Sequence, residues 1–129
     1  MIGIVIVAHG GLASEYKAAV EYVVGKQKGI VAVTILPDCN RERKREEICQ
    51  AADSVDAGTG VVIVTDMFGG SPSNLSMDAC NCSNRRVLYG ANLPLLVKLA
   101  KCREKSLPNA ISQAIDSGRK YMDCIPEIS

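Results

Sequence analysis

The chain has 129 residues, of which 47% are hydrophobic and 22% charged, and its net charge is +1. That length suits one domain able to bury a real core, and a charge so near zero removes any general electrostatic case for nucleic-acid or membrane-surface binding. No apolar run approaches the roughly 20 residues that span a bilayer, and with no Trp and a single Phe the core must be largely aliphatic.

Residues 2–8 are continuously apolar and read as a strand buried on both faces. The run lacks a basic flank, so no signal peptide is expected and the chain is assigned to the cytoplasm. It ends at His9, the sole histidine, followed by Gly10 and Gly11. Residues 12–26 read as a helix, with Leu12, Tyr16, Ala19, Val20, Val23 and Val24 at helical spacing. Residues 30–36 form a second strand, and Pro37, Asp38, Cys39 and Asn40 supply turn chemistry, with Asp38 or Asn40 as a helix cap.

A polar helix follows over residues 41–55, its thin stripe formed by Ile48, Ala51, Ala52 and Val55. The mixed charges from Arg41 to Glu47 read as a solvated helix face. Val61 to Thr65 is a third buried strand and ends at Asp66. Ser71 and Pro72 carry a helix-start signature, Ser as N-cap and Pro at the first helical position, for a helix over residues 72–81. Residues 86–91 are a fourth strand. Asn92, Leu93 and Pro94 open a helix to about residue 103, and Ser106, Leu107 and Pro108 open the last one, ending near Gly118. Residues 120–125 are a candidate final short strand.

This alternation implies an α/β sandwich, helices on both sides of a mostly parallel sheet of order 2-1-3-4, with the tail as a short antiparallel addition. One domain covers residues 1–129, without repeat or linker. The six cysteines, Cys39, Cys49, Cys80, Cys82, Cys102 and Cys124, read as reduced thiols. Cys80 and Cys82 make a C-x-C pair with no second pair or nearby His, so no metal site and no cofactor are expected.

In a sheet of that order the first and third strands are neighbours, and their carboxyl ends flank the switch point where such folds bind ligands. His9 and Asp66 both stand there. A carboxylate can accept from one ring nitrogen, fix the tautomer and leave the other nitrogen as a nucleophile. The helix entered through Gly69, Gly70 and Ser71 directs N–H groups into the same crevice. Each part has a duller reading: a structural His, an Asp that only caps, glycines of an ordinary turn. Their convergence favours a site.

These residues resemble the IIA component of the mannose family of the bacterial sugar phosphotransferase system. The resemblance rests on the strand ending in Ala8-His9-Gly10, on Thr65 to Asn74, and on Gly90 to Leu96, and covers about residues 1–120. It implies a phosphotransferase whose His9 is phosphorylated at Nε2 by the carrier HPr and passes the phosphoryl group to a histidine of a IIB component in sugar uptake. Asp66 then orients His9 through Nδ1, and Ser71 with the N–H groups of Gly69 to Ser71 holds the phosphoryl oxygens. It further implies a homodimer, in some relatives built by exchange of a C-terminal strand, and membrane association only through a permease. The chain stops at Ser129 without a following IIB domain, so the acceptor is expected on a separate protein. The alternative is a regulatory phosphocarrier whose His9 state is read by partner proteins.

Two other chemistries fit less well. A receiver phosphorylated on Asp66 needs an acidic pair after the first strand to hold Mg²⁺, and Ala8-His9-Gly10 stands there instead. A histidine phosphatase needs an arginine beside its histidine and a second catalytic histidine, and this chain has neither.

Overall fold

The computed structural model describes residues 1–67, 70–77 and 84–126. Four parallel strands, β1 (Gly3–His9), β2 (Ile30–Ile35), β3 (Val61–Thr65) and β4 (Arg85–Tyr89), lie in the order β2-β1-β3-β4. The helices are α1 (Leu12–Val24), α2 (Arg41–Val55), α3 (Ser71–Met77), α4 (Leu93–Lys101) and α5 (Leu107–Lys120).

The continuous apolar run of β1 divides by the two-residue period of a strand. Ile4, Ile6 and Ala8 join Val62, Val64 and Leu88 in a core with Val20 of α1, Leu95, Leu96 and Leu99 of α4, and Ala110 and Ala114 of α5. Val5 and Val7 face the other way, joining Val61, Ile63, Val33 and Ile35 under Ile48 and Ala52 of α2 and Leu75 of α3. β1 is central and covered on both sides, which is why it carries no alternating polar residues. The whole strand is buried until its last residue, His9, which is exposed.

Side chains set the helix starts. Asn40 accepts the N–H of Arg43 at 3.1 Å and Asn92 accepts that of Leu95 at 2.9 Å, so both serve as N-caps. Of the two residues expected to cap α2, Asn40 does so. Asn92 also donates to the Gly118 carbonyl at 2.9 Å, tying α4 to α5. Ser106 caps α5.

Several expected boundaries move. α1 ends at Val24 rather than residue 26, because Gly25 adopts a φ of +87° that an α-helix does not continue through. The fourth strand spans Arg85–Tyr89 rather than residues 86–91, since Gly90 turns at φ +83°. The tail is the larger correction. α5 continues to Lys120, and residues 121–126 form no strand. A strand needs a hydrogen-bonded neighbour, and among the described residues the tail has none. Cys39, Cys49, Cys102 and Cys124 are not joined by disulfides, while Cys80 and Cys82 lie outside the described residues. Among the described residues no helix is long and apolar enough to cross a membrane.

Candidate functional site

β1 and β3 pair in register, Val7 opposite Thr65, so the residues following them emerge side by side. This brings His9 and Asp66 together across 57 positions of sequence. His9 Nδ1 lies 2.7 Å from Asp66 Oδ2. The same oxygen accepts the His9 backbone N–H at 3.1 Å, and Oδ1 accepts the Met67 N–H at 3.0 Å. Three donors thus converge on one carboxylate.

Burial pushes the Asp66 carboxyl up, but the hydrogen bonds from the His9 ring and backbone, together with the charge interaction with His9, outweigh it and hold the group below the ordinary carboxylate range. An ionised carboxylate only accepts, so the ring proton sits on Nδ1. That leaves Nε2 with its lone pair. The His9 side chain is 50% exposed against 12% for Asp66, so the base of the ring is held while its far side meets solvent.

Gly10 follows at φ +55°, a left-handed turn that leads the chain away from the strand end, and its N–H donates to the Ile35 carbonyl at 2.9 Å. Gly70 lies against the ring: a Cβ there would stand 3.4 Å from His9 Cε1 and from Met67 Cγ. A side chain there would be in ordinary contact with the ring, so the α3 entrance adjoins His9 directly. The Gly70 carbonyl accepts the Asn74 N–H at 3.0 Å, the first i→i+4 bond of α3. Gly70 therefore occupies the N-cap position expected of Ser71, and Ser71 is the first helical residue with Pro72 second. The shift of one residue keeps Ser71 at the site, since it lines a cleft with His9. Gly69, expected in the same anion cradle, lies outside the described residues, as do Phe68 and residues 78–83.

That cleft, of about 360 Å³, is lined by His9, Ser71, Ile35, Pro37, Cys39 and Arg41. The sequence reading placed His9, Asp66, Gly70 and Ser71 together, and they are together. It missed the wall contributed by the loop between β2 and α2. The expected strand order contained the signal: β2 is the other neighbour of β1, so its carboxyl end must open beside His9 as well.

The family described as EIIA-man, PTS system fructose IIA component, matches residues 3–116. The chain is 29% identical over 122 residues to the PTS system mannose-specific EIIAB component of Escherichia coli (strain K12), covering 92% of this chain and 38% of that protein. It thus spans less than half the length of that relative. It is 26% identical over 105 residues to the PTS system fructose-specific EIIA component of Bacillus subtilis (strain 168), covering 81% of this chain and 72% of that one. The fold matches that of the phosphotransferase system component EIIA from Streptococcus agalactiae with a TM-score of 0.85 at 22% identity, covering 96% of this chain and 97% of that one. Since the family match extends over residues 3–116 and takes in both strand ends and the α3 entrance, the chain belongs to the IIA family of the sugar phosphotransferase system.

Proposed function

We propose that His9 is the phosphoryl carrier, taking the group on Nε2 from the phosphohistidine of HPr and handing it to a histidine of a IIB component. The observation that carries this reading is the 2.7 Å contact of His9 Nδ1 with Asp66 Oδ2, which commits one nitrogen of a ring that lines a cleft and leaves the other for the phosphoryl group. In the transfer the bond from phosphorus to the donor ring nitrogen breaks as the bond to Nε2 forms. The Nδ1 proton stays between ring and carboxylate, which balances the positive charge that develops on the imidazole. In this reading Ser71 and the N–H groups at the Gly70–Ser71 entrance receive the phosphoryl oxygens, with Gly69 assigned to the same cradle. Such transfer depends mainly on in-line positioning and on stabilising charge at the equatorial oxygens. No residue of this scheme calls for a metal or an organic cofactor.

Incubation with phosphoenolpyruvate, enzyme I and HPr is expected to load one phosphoryl group per chain, acid-labile and base-stable, that maps to the His9 peptide. Absence of label, or label mapping elsewhere, overturns the proposal.

We also propose that the whole chain, residues 1–129, acts as one IIA unit and works as a homodimer. β4 is an outer strand, and the outer edge of such a strand invites pairing. A groove of about 390 Å³ beside it is lined by Tyr89, Ile111, Ile115 and Met122 among others. Tyr121, Met122 and Ile125 of the tail are 68%, 76% and 72% exposed, apolar surface suited to a partner's groove. Light scattering is expected to give twice the chain mass, and truncation after Lys120 is expected to give the single-chain mass with helix content retained. A full-length monomer at tens of micromolar refutes this assembly.

A further inference from the structure

The cleft wall formed by the loop between β2 and α2 carries a cation that the carrier mechanism has not used. Arg41 is the first residue of α2 and lines the cleft with His9 and Ser71. Its position follows from the topology. β2 runs beside β1 with Ile35 opposite His9, and the short loop through Pro37 and Cys39 delivers the start of α2 to the cleft. The Asn40 cap, accepting the Arg43 N–H at 3.1 Å, fixes that start. The Lys44 ammonium is turned elsewhere, paired with Glu47 at 2.5 Å. Asp66, the carboxylate nearest the nucleophile, already accepts from His9 and Met67. Ser71 provides a neutral hydroxyl. A group carrying two negative charges on Nε2 would thus share the cleft with the Ser71 hydroxyl, the N–H groups of the α3 entrance and the Arg41 guanidinium.

We propose that Arg41 is a catalytic residue for phosphoryl transfer, its guanidinium donating to the equatorial oxygens of the group held on His9 Nε2. This rests on the reading of His9 as the carrier. Arginine suits the role because its planar fork can hold two phosphoryl oxygens at once. Those oxygens flatten into the equatorial plane at the in-line transition state, so a fork held for that geometry lowers the barrier rather than only tightening donor binding. It also explains the residue's setting. Arg41 is exposed and first in its helix, where neither packing nor capping calls for an arginine.

The test is the single-turnover rate of His9 labelling by excess phospho-HPr, at fixed ionic strength, with phospho-HPr varied through saturation so that the limiting rate serves as kcat and the half-saturating concentration as KM. Arg41→Gln is expected to lower kcat about tenfold with KM for phospho-HPr changed less than twofold, the size of one charge-assisted hydrogen-bonded contact. Arg41→Lys is expected to recover part of the loss, since it keeps the charge and loses the fork. Arg43→Gln, exposed on the same helix but not lining the cleft, is expected to match the wild type. A rise in KM with kcat unchanged would make Arg41 a donor-docking residue and overturn the assignment. An equal loss in Arg43→Gln would reduce the effect to the general field of the helix and overturn it as well. Wild-type protein that takes label on His9 at the same rate as Arg41→Gln defeats this inference alone. Wild-type protein that takes no label on His9 defeats the carrier reading and this inference with it.

Discussion

Glutamine in place of His9 is expected to abolish phosphoryl acceptance, and asparagine in place of Asp66 is expected to slow it about a hundredfold with the fold intact, the upper range for a group that orients a reactive imidazole. The second loss follows from counting acceptors. Asp66 serves the His9 ring and backbone through Oδ2 and the Met67 N–H through Oδ1. Asparagine has a single acceptor oxygen, so its amide nitrogen must face donors on one side. If it faces the ring, the imidazole relieves the clash by moving its proton from Nδ1 to Nε2, which removes the nucleophilic lone pair. If it faces Met67, a backbone donor is left opposed instead. Quenched-flow labelling gives the rates, and an Asp66→Asn rate equal to wild type would reduce Asp66 to a backbone anchor. The pH dependence of stability provides an independent check. The folded-state pKa of Asp66 lies below its unfolded value, near 3.9, so its contribution is full at neutral pH and lost as pH falls through the folded value. The Tm difference between wild type and Asp66→Asn is therefore expected to be largest near neutrality and to shrink below about pH 4.

That pairing was legible in the sequence because it depends on topology alone. Two apolar strands ending in a histidine and an aspartate, taken with the strand order, bring those residues together before any side chain is placed. The two-faced core was legible for a similar reason, since a continuous apolar strand must be covered on both sides. Arg41 was not, because a charge run at a helix start looks the same whether its first member meets solvent or an anion. The tail was a candidate strand, yet strand formation is a property of a pair of segments, and among the described residues it pairs with no second segment. The one-residue shift of the α3 cap has a subtler cause. Ser71 before Pro72 fits the N-cap pattern, but the Gly70 carbonyl accepts the first helical bond. A glycine in that position leaves the cap without a side chain, so the sequence pattern points one residue too far on.

Arg103 was also hidden, falling at the expected end of the helix opened by Asn92, Leu93 and Pro94, and its replacement is expected to cost the most stability. It is 3% exposed in the turn after α4. Its Nε donates to the Ile2 carbonyl at 2.7 Å, Nη2 to the Gly29 carbonyl at 3.0 Å, and Nη1 to Gln27 Oε1 at 3.3 Å, while its own carbonyl accepts the Ile2 N–H at 2.9 Å. One side chain thus joins the entry to β1 with the entry to β2 at the amino ends of the sheet. Burial lowers the guanidinium pKa, with Glu104 pushing it back up, yet an arginine keeps its charge under such pressure. Arg103→Met fills much of the volume but leaves the Ile2 carbonyl without that donor in a buried setting. Losing charged hydrogen bonds and stranding acceptors in this way should cost about 3 kcal/mol, or a fall in Tm of about 10 °C for a chain of this size. Arg103→Lys keeps one charge without the fork and should fall between. Urea unfolding measures the loss, and a change under 1 kcal/mol would mean that water replaces the lost donors. The same variant separates stability from chemistry. Seven residues of β1 place His9 about 20 Å from this cluster, so well below its Tm Arg103→Met should accept the phosphoryl group at the wild-type rate. A matching loss of rate would instead mean that the strand entries and the His9 end of β1 move as one unit.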